Sequence, residues 1–164
     1  MGIVKYLTSD NYTEYTDTTG ELGNWVFGDY KGQVLINQIP DEDILFGQLC
    51  YRSDNGHWLL ANASDANTES TSMLGICVAS TLAGDDAKIL TSGYVSEEDG
   101  GYLQYGNIGT PVFMDTYYGQ MTYLAPSSAG NVVRLIGYTF WNFDYHPNSI
   151  NILYFNPDNT WIEL

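Results

Sequence analysis

The sequence predicts an all-β protein made from a duplicated unit, and three observations predict it. The first is a stretch that occurs twice. Phe46-Gly47-Gln48-Leu49-Cys50-Tyr51 is answered by Ile108-Gly109-Thr110-Pro111-Val112-Phe113, and Leu74-Gly75-Ile76-Cys77 by Ile136-Gly137-Tyr138-Thr139. Gly47 and Gly109 are 62 residues apart, and so are Gly75 and Gly137. The second is the lack of any window of a dozen residues with apolar side chains at i, i+3, i+4 and i+7, the period of a helix face. The third is a succession of short apolar runs at intervals of roughly 8–12 residues, the spacing of a sandwich or barrel.

The elements follow in order. Residues 1–40 lie outside both copies and read as an N-terminal arm or attachment segment. Ser9 to Gly20 is rich in Thr, Tyr, Asn and Asp and has little to bury. Trp25-Val26-Phe27 and Val34-Leu35-Ile36 read as short strands around a turn at Gly28-Asp29-Tyr30-Lys31. Residues 41–164 read as the duplicated β domain, with repeat one at about 46–95 and repeat two at about 108–164. Pro40-Asp41-Glu42-Asp43 is an acidic turn leading into repeat one. Leu49-Cys50-Tyr51 and Trp58-Leu59-Leu60 form a hairpin around Asn55-Gly56, since Asn-Gly supplies the positive φ of a tight turn.

Asn62 to Ser72 is small and polar, a long loop. Met73 to Ala79 is a strand. Ala87 to Leu90 is another, which Gly93-Tyr94-Val95 extends or follows. Repeat two keeps this order through Ile150 to Phe155, and Thr160 to Leu164 is a terminal strand. Two such halves pair into one barrel- or sandwich-like core about a pseudo-twofold axis, which covers their sheet edges.

Composition narrows the function. The chain has 20 Asp and Glu against 5 Lys and Arg, a net charge of −15. Five cations cannot build the basic patch that nucleic acid requires, and the same charge opposes an anionic membrane. Met1 to Tyr6 is too short and polar for a signal segment, and no apolar run approaches the roughly 20 residues of a membrane span. Fourteen Tyr and four Trp suit strands, and they also suit interfaces and sugar-stacking surfaces.

No residue set carries catalysis. His57 and His146 lack a partner at metal-ligand spacing and read as exposed turn residues. The acidic clusters Asp41-Glu42-Asp43, Asp85-Asp86 and Glu97-Glu98-Asp99 do not fit a calcium loop. There is no nucleophile elbow, phosphate loop or dinucleotide fingerprint. Cys50 and Cys77 stand where the other copy has Val112 and Thr139, so they read as small, buried, reduced strand residues. The expectation is a non-enzymatic protein with no catalytic residue, metal or cofactor.

From about Phe46 to Leu164 the chain resembles small tailed-phage virion structural proteins. The resemblance rests on Phe46-Gly47 to Trp58, Leu74-Gly75-Ile76, Gly109-Thr110-Pro111-Val112-Phe113, Ala125-Pro126-Ser127 and the tail Ile152 to Leu164. It implies a virion location after synthesis in the host cytoplasm, and a capsid decoration or head-fibre role. A tail-fibre or baseplate receptor-binding component is the alternative, and a carbohydrate-binding module is the alternative outside virions. It also implies capsid or other virion proteins as partners and a homo-oligomer, with a trimer as the count. The N-terminal arm is polar with isolated aromatics, so Tyr6, Tyr12, Tyr15, Trp25 and Phe27 are the expected partner-binding residues.

Overall fold

In the computed structural model, residues 12–13, 27–64, 66–98, 101–104, 107–143 and 150–164 are described. Among them the only α-helix is a single turn, α1 (Thr68–Thr71), inside the stretch expected as a plain loop. Asn67 starts it by accepting the Glu69 N–H on its side chain, a local cap within a polar run.

Repeat one consists of β3 (Leu49–Arg52), β4 (Trp58–Leu60), β5 (Leu74–Cys77) and β6 (Ala87–Glu98). Repeat two consists of β8 (Pro111–Met114), β9 (Met121–Thr122), β11 (Leu135–Phe143) and β12 (Ile150–Phe155). The sheet runs β4-β3-β5-β6-β12-β11-β8-β9. The same four-strand run thus appears twice, in opposite order, joined where β6 pairs antiparallel with β12. The sheet is curled into a half-barrel.

The duplication holds at the level of single hydrogen bonds. Gly47 N–H donates to Cys77 O at 2.8 Å, and Gly109 N–H donates to Thr139 O at 2.7 Å. Cys77 N–H donates back to Gln48 O, and Thr139 N–H to Thr110 O. Cys50 faces Gly75 as Val112 faces Gly137, and Ile76 faces Leu90 as Tyr138 faces Tyr154. One residue is added in the second hairpin: Arg52 faces Trp58, whereas Met114 faces Met121.

Five further strands complete the fold among the described residues. β2 (Tyr30–Gln38) pairs with β6 from Tyr30↔Val95 to Gln38↔Ala87, and β1 (Tyr12–Thr13) pairs with β2. Part of the segment read as an arm is therefore built into the sheet, with Val34 in the core. The turn falls at Phe27–Gly28, earlier than expected. Gly28 supplies the positive φ of 95°, and Tyr30 already pairs with Val95. Trp25 and Val26 lie outside the described residues. β7 (Leu103–Gln104) runs parallel to β9, and β10 (Val132–Val133) pairs with the terminal strand β13 (Ile162–Glu163).

Strand alternation divides the apolar residues between two clusters. Leu49, Tyr51, Leu74, Ile76, Leu90 and Val34 enter the main core with Val112, Met114, Met121, Leu153 and Phe155. Cys50, Cys77, Ile89, Ala87, Ile44 and Trp58 form a smaller cluster on the other side of repeat one. Trp58 is fully buried, and its indole N–H donates to Gln38 Oε1 at 3.0 Å.

Close approach explains the repeated glycines. A Cβ on Gly137 would collide with the Tyr154 carbonyl, and one on Gly75 with the Ile89 side chain. Gly47 and Gly109 both adopt positive φ, 88° and 83°. A Cβ at Gly47 would strike the buried Glu97 carboxylate, while Gly109 faces open space. We expect Gly75→Ala and Gly137→Ala each to cost about 1–3 kcal/mol in urea denaturation, the range for overpacking. Gly109→Ala should cost only about 1 kcal/mol, for the backbone alone. Gly47→Ala should cost clearly more than Gly109→Ala, and equal losses would refute the packing difference.

Candidate functional site

The two repeats turn opposite faces to the main core. Positions Leu49, Ile76 and Leu90 of repeat one correspond in strand pairing to Pro111, Tyr138 and Tyr154 of repeat two. The first three are in the main core. Of the second three, Pro111 and Tyr138 are exposed and Tyr154 is half-buried. Conversely Cys50 and Ile89 sit in the small cluster, while their counterparts Val112 and Leu153 enter the main core.

The outcome is an aromatic surface on the outer face of repeat two. Tyr94, Tyr154 and Tyr138 lie in register across β6, β12 and β11. Tyr94 and Tyr154 are 5.1 Å apart between ring centroids. The register of β11 shifts between Thr139 and Trp141, and the inserted Phe140 meets Tyr94 edge-on at 4.9 Å. Tyr138 is 42% exposed, Phe140 39% and Trp141 38%, so the surface meets solvent. Partial burial raises the Tyr94 hydroxyl pKa, and the neighbouring Tyr154 adds to the rise. Lys31 faces Tyr94 from β2 and adds a cation to the row. Aromatic faces with polar tips suit contacts that are half wet.

Of the residues expected to bind a partner, Tyr6, Tyr15 and Trp25 lie outside the described residues. Tyr12 belongs to β1, and its side chain is also outside them. Phe27 is exposed and rests edge-on against Phe46 at 5.3 Å. The tyrosine row was not singled out in sequence. Its signal was the replacement of Leu49, Ile76 and Leu90 by Pro and two tyrosines at matched positions.

The acidic turn is structural. Asp41 accepts from Asn55 Nδ2 and pairs with His57 Nδ1 at 2.6 Å. Those hydrogen bonds, His57 first, hold the Asp41 carboxyl below its ordinary pKa. Glu42 accepts the Leu60 N–H, and Asp43 accepts the Ala83 N–H. The three carboxylates thus fasten three separate stretches around the small cluster. His57 is half-buried against Asp41 just after the turn rather than fully exposed in it, and His146 lies outside the described residues.

Among the described residues no group of three or more His, Cys, Asp or Glu is placed to hold a metal, and no helix is long and apolar enough to cross a membrane. No family model, curated protein or solved structure matches the chain.

Cys50 and Cys77 are free and buried, as their sister positions imply. The Cys77 thiol donates to Ala79 O at 3.1 Å. Burial pushes the Cys77 pKa up to about 11 and raises that of Cys50 well above its ordinary value. Both should therefore resist iodoacetamide in the native protein and react after unfolding. Rapid native labelling of both would refute their burial. The raised values also fix a sign. Between the ordinary thiol pKa and about 11, the unfolded chain loses protons that the folded chain keeps, so stability falls as pH rises through this window. Urea midpoints at pH 8 and 10.5, read for the wild type and Cys77→Ala, should show a smaller decline in the variant.

Proposed function

We propose that this protein is a non-enzymatic bacteriophage virion structural protein, most simply a capsid decoration or head-fibre protein, which docks through the outer face of repeat two. The observation that carries the reading is the tyrosine row. A duplicated unit that keeps its aliphatic face in one copy, and turns an aromatic face to solvent in the other, leaves a surface suited to a partner. Tyr138, Phe140 and Trp141 are the residue types that dominate interface energetics. The scaffold beneath them is a continuous sheet, so the row is presented with little conformational entropy to lose on docking.

Charge supports the same reading. A chain at −15 avoids nucleic acid and other anionic surfaces. The resemblance of residues 46–164 to small tailed-phage virion proteins agrees with this and is the source of the expected homo-oligomeric state and capsid partner. The N-terminal aromatics Tyr6, Tyr12, Tyr15, Trp25 and Phe27 remain candidates for a second attachment point.

A carbohydrate-binding role is the second reading, favoured by the Tyr94–Tyr154–Tyr138 alignment, because successive rings along a sheet can stack on successive sugars.

The test is incorporation into particles. The wild-type chain should sediment with purified virions, and Tyr138→Ser/Phe140→Ser should fold with an unchanged melting temperature but be lost from them. A chain absent from particles overturns the virion reading. A double variant retained at wild-type level overturns the role of the row. Retention of the wild-type protein on a polysaccharide column, abolished in the double variant, would move the assignment to the second reading.

A further inference from the structure

A separate feature lies away from the tyrosine row. Arg134 follows β10 and is 4% exposed, although it is one of only five cations in the chain. Burying a guanidinium is costly unless its donors are satisfied. Here Nε donates to Asp158 O at 2.9 Å, and Nη1 donates to Ser70 O and Ser72 O at 3.0 and 2.6 Å. All three acceptors are neutral backbone carbonyls. The Asp158 carboxylate accepts the Thr160 N–H, and its charge acts on Arg134 without a direct hydrogen bond. No described residue accepts a hydrogen bond from Nη2.

Arg134 also lines a cleft of about 450 Å³. Its polar walls include Thr91, Asn156 and Asn159, and its apolar walls include Met73 and Trp161. The guanidinium lies 5.8 Å from the centroid of the Trp161 ring, which is itself 43% exposed. The cleft therefore combines one buried cation with a spare donor nitrogen, side-chain amides and hydroxyls, and an aromatic and a thioether surface.

We propose that this cleft binds a sugar carrying a carboxylate, such as a uronic acid. The two N–H groups of Nη2 can donate to a carboxylate, and charge-assisted hydrogen bonds are the strong kind. With a single cation lining the cleft of a chain of net charge −15, a monoanion is favoured over a phosphate dianion. The amides and hydroxyls serve the ligand's hydroxyl groups, and Trp161 and Met73 cover its C–H face. The cleft volume falls within the usual range for small-molecule sites and accommodates a monosaccharide with room for a second unit.

The test uses the full chain with glucuronic acid and glucose as probes, read by saturation-transfer NMR and calorimetry. Glucuronic acid should bind with a Kd of about 1 mM or tighter, and glucose about tenfold more weakly. Arg134 staples three carbonyls, so its removal risks the fold. Asn159→Asp instead adds a carboxylate at the cleft without touching those hydrogen bonds. It should weaken glucuronic acid about tenfold and leave glucose unchanged, by charge repulsion. Thr91→Trp fills the cleft and should abolish binding of both, with the melting temperature confirming the fold. Failure of glucuronic acid to bind at about 10 mM would leave Arg134 as a staple only. Equal affinity for the two sugars, or binding unaffected by either variant, would likewise overturn the proposal.

Discussion

The pairing of β6 with three other strands is the constraint on which the rest of the structure depends. Its twelve residues pair with β2, β5 and β12, and so join the N-terminal strand to both repeats. Gly93 makes this possible. It faces Gly32 across β2 and adopts a φ of 136°, and a Cβ at either position would run into the opposite backbone. Two glycines in register let the strands approach where side chains could not. Without that approach the edge of β6 that β2 covers would be left open, and unpaired sheet edges invite association with other chains.

Joining the copies edge to edge in a curled sheet gives them different surroundings. Repeat one is covered on both sides, by the main core and by the small cluster around Trp58, Cys50 and Cys77. Repeat two contributes only one face to the main core. Its other face shows Tyr138 and Phe140 to solvent, with Tyr94 and Tyr154 half-buried beside them. The copies also interlock. Leu49 N–H donates to Gly119 O, Gly119 N–H donates to Ala61 O, and Ala63 N–H donates to Asp115 O. The second hairpin thus lies against the strands of the first repeat, which holds the aromatic face at a set distance from the sealed one.

The scarce charges are used locally. Asp41, Glu42 and Asp43 fasten the hairpin, the start of β4's last residue and the loop at Ala83. Arg134 ties the end of α1 to the segment after β12 through carbonyls at Ser70, Ser72 and Asp158. The acidic turn read in the sequence thus fastens the folded protein, Glu42 and Asp43 by accepting backbone N–H groups and Asp41 by accepting from the Asn55 side chain and pairing with His57. Hydrogen bonds to charged groups are the stronger kind, so a few suffice where the chain lacks regular secondary structure.

The sequence by itself determined the strand character and the duplication, and it pointed to the burial of the two cysteines. These follow from local periodicity, from glycines whose conformational freedom or small size is required wherever they recur, and from the Val and Thr that match the cysteines. The 62-residue spacing matched Gly47 with Gly109, and the two make the same backbone hydrogen bond in the fold. Only the tertiary structure decided which face of each repeat is inside. Period-two alternation gives a strand two faces but does not say which one the neighbouring copy will cover. That choice depends on the β6–β12 junction and the curl of the sheet, which bring together residues distant in the chain. It turned Ile76 inward and its counterpart Tyr138 outward, and it set Arg134 against Trp161. A strand at Val34 to Ile36 was legible, but its pairing with β6 was not, since that partner begins about fifty residues later in the chain.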